Sequence, residues 1–273
     1  MGSIGEDPAA LAANLRTLCD RHGSVAAVCR KINVNRQQFN KYLSGTHVPS
    51  ASNLRIIANY FGLSVLILFS DPDEFRNLVD GNFFHAMATA RRLPEFSRFV
   101  SNIIVENETQ DNEIVGVYDR YQYSSIYRGF ILRSAFCIYR NKEFLQHYYV
   151  ERFPSLDKPD KTEYIFKYYG FCFPVSDRLF TADFEGIQSN ELTFGVYAQV
   201  KRNTKRFMFG ITSGIAANVF RAPYSTKVAL HYRGPGLIKR EHLAELTVMD
   251  RNDPVIPREA LQYLGDGSDM IQM

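Results

Sequence analysis

No run of eighteen apolar residues occurs in this 273-residue chain, and its longest greasy patch, "LSVLILF" at 63–69, is far too short to cross a bilayer as a helix. The first thirty residues lack the apolar core of a secretory signal. The expected address is therefore the cytoplasm, with no membrane partner. Cysteine is scarce: Cys19, Cys29, Cys137 and Cys172 lie far apart, with no CxxC pair. That excludes a disulfide framework and a thiolate metal knuckle, and leaves reduced, buried thiols. The six histidines show no HExxH or HxH spacing. Ser213 precedes Gly214 without a GxSxG elbow, and there is no GxxxxGK[ST] phosphate loop. The sequence thus offers no catalytic motif, no metal ligands and no cofactor fingerprint, and the chain is not expected to be an enzyme.

What is present is the composition of a folded soluble protein, 45% apolar and 22% charged. Its charge is unevenly placed. Residues 1–70 hold seven Lys/Arg against three acids, whereas the remainder holds 25 against 26, so the net +3 comes entirely from the first quarter. This asymmetry is expected when one domain meets a polyanion and the other does not.

Apolar residues between Pro8 and Phe69 recur at helical spacing in short bursts: Leu11, Leu15, Leu18; Val25, Val28, Ile32; Phe39, Tyr42, Leu43; Leu54, Ile57, Phe61. This pattern predicts four or five short helices. Asp7 before Pro8, Asn35 and Ser50 stand where N-caps belong, and Gly23, Gly45 and Gly62 where helices end. A helix from Arg36 to Ser44 places Phe39, Tyr42 and Leu43 on one side. Gln37 and Lys41 lie opposite, flanked by Asn40 and Gln38, with Arg36 in the first turn. Amide and cationic side chains on a helix have the chemistry to read base edges in a major groove, although any solvated helix face is polar too.

The stretch "SVAAVCRKINVNRQQFNKYLSGTHVPSASNLRIIANYFGLSV" resembles the lambda-repressor/Cro-like (XRE-type) helix-turn-helix domains, over about residues 11–69. Cys29 matches the small residue in the first motif helix, Asn33 and Val34 the tight turn, and Phe39 the residue that seats the second motif helix. Gly45 and Pro49 match the loop after that helix, Ala58 the small residue of the fourth helix, and Gly62-Leu63-Ser64 the start of the fifth. Val25 departs from the glutamine common at its position, and Leu43 from an acidic residue. The resemblance implies base reading by Arg36, Gln37 and Lys41 with Asn40 beside them, and backbone contacts from Ser44, Thr46 and His47. Arg55 is a further phosphate-binding candidate.

Residues 71–107 continue the helical signal, with Pro72 opening a helix, Gly81 and Pro94 breaking it, and stripes such as Phe75, Leu78, Phe83, Phe84 and Met87. This linker reads equally as a dimerisation element or as packing against the second domain. From 108 to 250 eight segments rich in Tyr, Phe, Val and Ile alternate with turns. Such short connections leave no room for crossover helices, so an antiparallel barrel or sandwich is expected. Residues 101–250 hold 13 of the 16 Tyr and 13 of the 21 Phe. Those aromatics fit core packing, a ligand pocket drawn on Tyr164, Phe166, Tyr168, Phe130 and Phe136, or a protein-binding face. In the segment "YRGFILRSAFCIYR", Phe130, Leu132, Ser134, Phe136 and Ile138 share one face, expected to be the core. Glu151, Arg152, Asp177, Asp183 and Glu185 are the ionisable groups an enzyme would draw on, but charges on strands usually face solvent or pair off. Residues 251–273 read as a C-terminal tail.

The sequence therefore predicts an all-helical helix-turn-helix head (1–70), a helical linker (71–107) and an antiparallel β domain (108–250). The expected function is that of a homodimeric transcriptional regulator on a pseudo-palindromic double-stranded DNA operator. Its β domain would sense a small-molecule effector or set dimer geometry; the alternative is an enzyme or protein-docking domain carrying a DNA-binding head.

Overall fold

The computed structural model describes residues 7–79, 114–142, 144–155, 161–186, 191–198, 207–215 and 221–272. The chain divides into two units, 1–99 and 100–273. The first unit is helical: α1 (Pro8–Arg21), α2 (Val25–Ile32), α3 (Arg36–Leu43), α4 (Ala51–Phe61), α5 (Val65–Leu68) and α6 (Pro72–Leu78). The caps fall where side-chain chemistry places them. Asp7, Ser24, Asn35, Ser50, Ser64 and Asp71 each accept a hydrogen bond from a first-turn amide. Gly62 closes α4 at φ 74°, a left-handed conformation that glycine adopts without a Cβ penalty. Leu11, Leu15, Val28, Ile32, Phe39, Ile57, Phe61 and Leu68 form the core. Asn14 is buried among them, and its amide donates to the Leu68 and Ser70 carbonyls at 3.0 and 2.7 Å, tying α1 to the end of α5. Phe75 and Leu78 of α6 are also fully buried and α6 packs on α1, so this first piece of the expected linker belongs to the head. The remainder of the linker, with Gly81, Phe83, Phe84, Met87 and Pro94, lies outside the described residues.

The second unit is a closed antiparallel barrel. Its eight strands are β1 (Gly116–Tyr123), β2 (Ile131–Asn141), β3 (Phe144–Pro154), β4 (Thr162–Val175), β5 (Arg178–Glu185), β6 (Leu192–Ala198), β7 (Phe207–Ile215) and β8 (Pro223–Gly234). Each pairs with the next, and β1 also pairs with β8, Tyr118 opposite Tyr232 and Arg120 opposite Leu230. Both edges are thereby removed. All eight expected strand segments appear, and closure decides for a barrel over a sandwich.

As expected, Leu132, Ser134, Phe136 and Ile138 face the interior, where Phe136 and Ile138 join Tyr118, Leu145, Tyr149, Tyr168, Leu179, Tyr197 and Met208 in one cluster. Phe130 does not share that face, since it precedes the strand and is exposed. The other face of β2 is buried as well, because residues after β8 wrap the barrel. They form α7 (Arg240–Ala244), β9 (Thr247–Met249), α8 (Arg258–Leu264) and β10 (Ile271–Gln272). β9 pairs with Ile131–Arg133, the part of β2 that precedes its pairing with β3. The stretch 251–273 is thus not a bare tail. Ala260 and Leu264 of α8 are buried against Tyr121, Ile131 and Ala229, and β10 pairs with β8.

An ionic cluster fastens this wrap. Asp119 on the outer face of β1 accepts from Arg133 at 2.8 Å and from Arg233 at 2.6 Å, and Glu245 bonds the same two guanidinium groups. Asp119 and Arg133 are both buried. Removing one partner of a buried pair strands the other charge. Asp119→Ala is therefore expected to destabilise the barrel by roughly 3–5 kcal/mol, read as a fall in the chemical-denaturation midpoint, whereas Arg178→Ala, which breaks an exposed pair with Asp177, should cost under about 1 kcal/mol.

Candidate functional site

Two regions concentrate polar chemistry. In the head, α2 and α3 are joined by three residues. Asn33 ends α2 in the left-handed conformation (φ 54°), the Val34 amide returns to the Cys29 carbonyl at 3.1 Å, and Asn35 caps α3 through the Gln37 and Gln38 amides at 2.8 and 3.4 Å. Phe39 is fully buried, and Tyr42 accepts from Asn53 of α4 at 3.0 Å. Arg16 of α1 donates to the Leu43 carbonyl at the end of α3. One side of α3 is thus held by three neighbouring helices, and the other leaves Arg36, Gln37, Asn40 and Lys41 exposed together. No acidic residue occurs from Arg21 to Ser70, a span holding six cations. The field over this face is accordingly positive.

The four expected phosphate ligands divide. His47 and Arg55 project into solvent. Ser44 and Thr46 are exposed too, but both hydroxyls are turned to the Lys41 carbonyl, at 3.0 and 3.2 Å, and stand 2.9 Å from each other. Their protons close the end of α3, and a phosphate, itself an acceptor, needs those protons. His47 and Arg55 are the pair free to meet a phosphate without breaking that turn.

The second region is the barrel lumen, whose chemistry runs against the usual order. Glu151, Asp183, Glu185 and Glu191 are buried and on the inward register, with Arg120. Three of the carboxylates expected at the surface or in pairs there, Glu151, Asp183 and Glu185, are therefore interior. Arg120 donates to Glu151 at 3.1 Å and lies over the Tyr149 ring at 4.8 Å. Asp183 accepts from the Tyr149 hydroxyl at 3.0 Å and bonds His147 Nε2 at 3.0 Å, while Tyr168 donates to Glu191 at 2.9 Å. Tyr149 and Tyr168 stack at 4.4 Å, and Phe136 stacks on His147 at 5.0 Å. Two lumen atoms, Gln122 Oε1 and Arg120 Nε, are buried without a hydrogen-bond partner. Gly195 and Gly210 make room for Tyr197, since a Cβ on either would come within 2.8 Å of its ring.

The aromatics expected to form a pocket are split by this arrangement. Phe136 and Tyr168 are in the lumen core and Phe166 packs against it, whereas Tyr164 and Phe130 are exposed. One shallow pocket of about 270 Å³ is lined by Tyr123, Ser124, Arg128, Asp266 and Gly267, and another of about 510 Å³ by Arg251, Arg258 and Leu261; neither touches those five residues. The four cysteines are buried thiols that form no disulfide, and burial pushes the Cys19 thiol up to about 12. Among the described residues no three His, Cys, Asp or Glu side chains converge in metal-binding geometry. The chain matches no known family description, no curated protein and no solved structure.

Burial pushes the Glu151 carboxyl up to about 7, Arg120 pulling it down and Glu191 and Asp183 adding to the rise. Above its unfolded pKa of 4.5 and below about 7, the folded barrel holds a proton that the unfolded chain releases. Its contribution to stability is complete below the lower value and lost as pH rises through the upper one. That loss amounts to roughly 3 kcal/mol. Denaturation midpoints are expected to fall between about pH 4.5 and about pH 7, and Glu151→Gln, which cannot titrate, should flatten that dependence.

Proposed function

We propose that this chain is a sequence-specific DNA-binding transcriptional regulator acting as a homodimer, with a helix-turn-helix head of the lambda-repressor/Cro-like kind. The observation that carries this reading is α3. Its apolar side is locked onto α1 and α4, and its outer side presents Arg36, Gln37, Asn40 and Lys41 within a fifty-residue span free of acid. In such a docking α3 lies in the major groove, its amides and cations reading base edges, while His47 and Arg55 hold the backbone on either side. One head of this size makes too few contacts for operator affinity, so two act on a pseudo-palindrome.

The barrel is the assembly domain in this reading. A second reading, an effector chamber, is favoured by the unpartnered Gln122 Oε1 and Arg120 Nε in the lumen. The density of side chains there favours the first: Arg120, Tyr149, Tyr168 and Tyr197 are all bulky and buried, Arg120 lying over Tyr149 and bonding Tyr197, and Tyr149 stacking on Tyr168.

On its operator, Gln37→Ala is expected to weaken binding by about 1–3 kcal/mol and on random DNA far less. Affinity of the wild type should fall steeply with salt on both. Electrophoretic or anisotropy titrations after operator selection decide this; equal losses on the two DNAs, or no DNA binding by the full chain at low salt, would remove the reading.

A further inference from the structure

The strands β5 to β7 are inverted in polarity. Facing inward they carry Thr181, Asp183, Glu185, Glu191, Thr193 and Thr212, all buried. Facing outward they carry Phe180, Phe184, Leu192, Phe194, Val196 and Ile211, each 36–54% exposed. Register makes these one surface: Phe180 stands beside Val196 and Val196 beside Ile211, Ala182 beside Phe194 and Phe194 beside Ser213, and Phe184 beside Leu192. The wall continues onto β4, where Phe173 is opposite Phe180 and Phe171 opposite Ala182. Among the described residues between Tyr169 and Ile215, no charged residue occupies an outward position of these strands except Arg178, at the first residue of β5.

We infer that this wall is the surface through which two copies of the chain pair. Six large apolar side chains at about half exposure present roughly 500 Å² of apolar surface, at the upper end of what a monomer leaves uncovered and close to the apolar share of a standard interface of about 800 Å² per partner. Charge borders this surface, with Arg178 at the first residue of β5 and Lys227 of β8 beside Ile211, while the described outward positions between them are uncharged; it offers little sign by which to select an unlike protein, and it is complementary to itself. Sheet faces of this kind stack at a shallow angle, with side chains from each interdigitating. A bilayer does not fit, because it needs an apolar belt around the whole barrel. Here β1, β2 and β8 carry Asp119, Arg133 and Arg233 on their outer faces under the wrap of α7 and β9.

The inference rests on the proposed function only for its expectation of a dimer; the surface itself is argued from the barrel. Sedimentation equilibrium of the full chain is expected to show a dimer, and Phe194→Asp, at an exposed position, to raise its dissociation constant about thirtyfold or more with an unchanged circular-dichroism spectrum. Hydroxyl-radical labelling of the wild type needs no variant. Labelling of Phe180, Phe194 and Ile211 should fall as concentration rises through dimerisation, and labelling of Val255, exposed elsewhere, should not. A dimer that persists in a folded Phe194→Asp chain, with labelling of the wall independent of concentration, overturns the surface and leaves the dimeric regulator standing. A wild-type monomer at all concentrations overturns both, as does a monomer that floats with phosphatidylcholine vesicles. Loss of operator binding in Phe194→Asp, with non-specific binding by each head retained, supports the two together.

Discussion

Closure of β8 onto β1 is the constraint on which the barrel depends. Once the sheet meets itself, every strand sends alternate side chains into one shared lumen, and no local adjustment moves a residue from one face to the other. Polar residues on the inward register must then be satisfied inside. Asp183 bridges His147 and Tyr149, Glu191 takes the Tyr168 hydroxyl, and Arg120 is held between Glu151 and the Tyr149 ring. Buried ion pairs return little net stability after desolvation, so this network specifies one register more than it strengthens it. A slip of one residue in β5 would place Phe180 and Phe184 in the lumen and leave Asp183 without its donors.

The lumen also explains why the barrel needs its outer wrap. With carboxylates, hydroxyls and glycines along β5 to β8, the interior supplies less apolar burial than an eight-stranded barrel filled by aliphatic side chains. The region after β8 adds a second core. Tyr121, Tyr123, Ile131 and Ala229 on the outer faces are covered by Met249, Ile256, Ala260 and Leu264. The Asp119–Arg133–Arg233–Glu245 cluster fixes where that cover lies. It is a barrel with one layer of packing inside and another outside, on the β1–β2–β8 side.

Much of this was legible in the sequence, and the remainder was hidden for physical reasons. Cap residues act within three or four positions, so Asp7, Asn35 and Ser50 could be placed without knowing the fold. The aromatic and β-branched runs located eight strands, because strand preference is a property of short segments. The α8 segment, "REALQYL", is only seven residues long and comes directly after a proline, too short for periodicity to separate it from a loop. The lumen was hidden more deeply. Period two divides a strand into two sets but does not say which is inside, and hydrophobicity alone assigns Leu192, Phe194 and Val196 to the core. The structure places Glu191, Thr193 and Tyr197 there instead. In the head, α3's exposed residues were readable from the wheel, whereas the engagement of Ser44 and Thr46 with the Lys41 carbonyl required coordinates.

The polar lumen and the apolar wall are two sides of the same strands and cannot be altered independently. Along β6 each backbone step carries one residue inward and the next outward, so the glycine and hydroxyl positions that hold Tyr197 and the lumen network alternate with Leu192, Phe194 and Val196. Exchanging the two sets would bring Phe194 into the space between Thr181 and Tyr197 and place Thr193 and Glu191 on the wall. The interior would gain apolar area but lose Glu191, the acceptor to which the Tyr168 hydroxyl donates. The arrangement found instead keeps the specific network in the buried interior, where hydrogen bonds are strongest. It leaves on the wall the side chains that need only exclusion of water. That requirement is met by any closely fitting apolar surface, and a second copy of the same wall provides one.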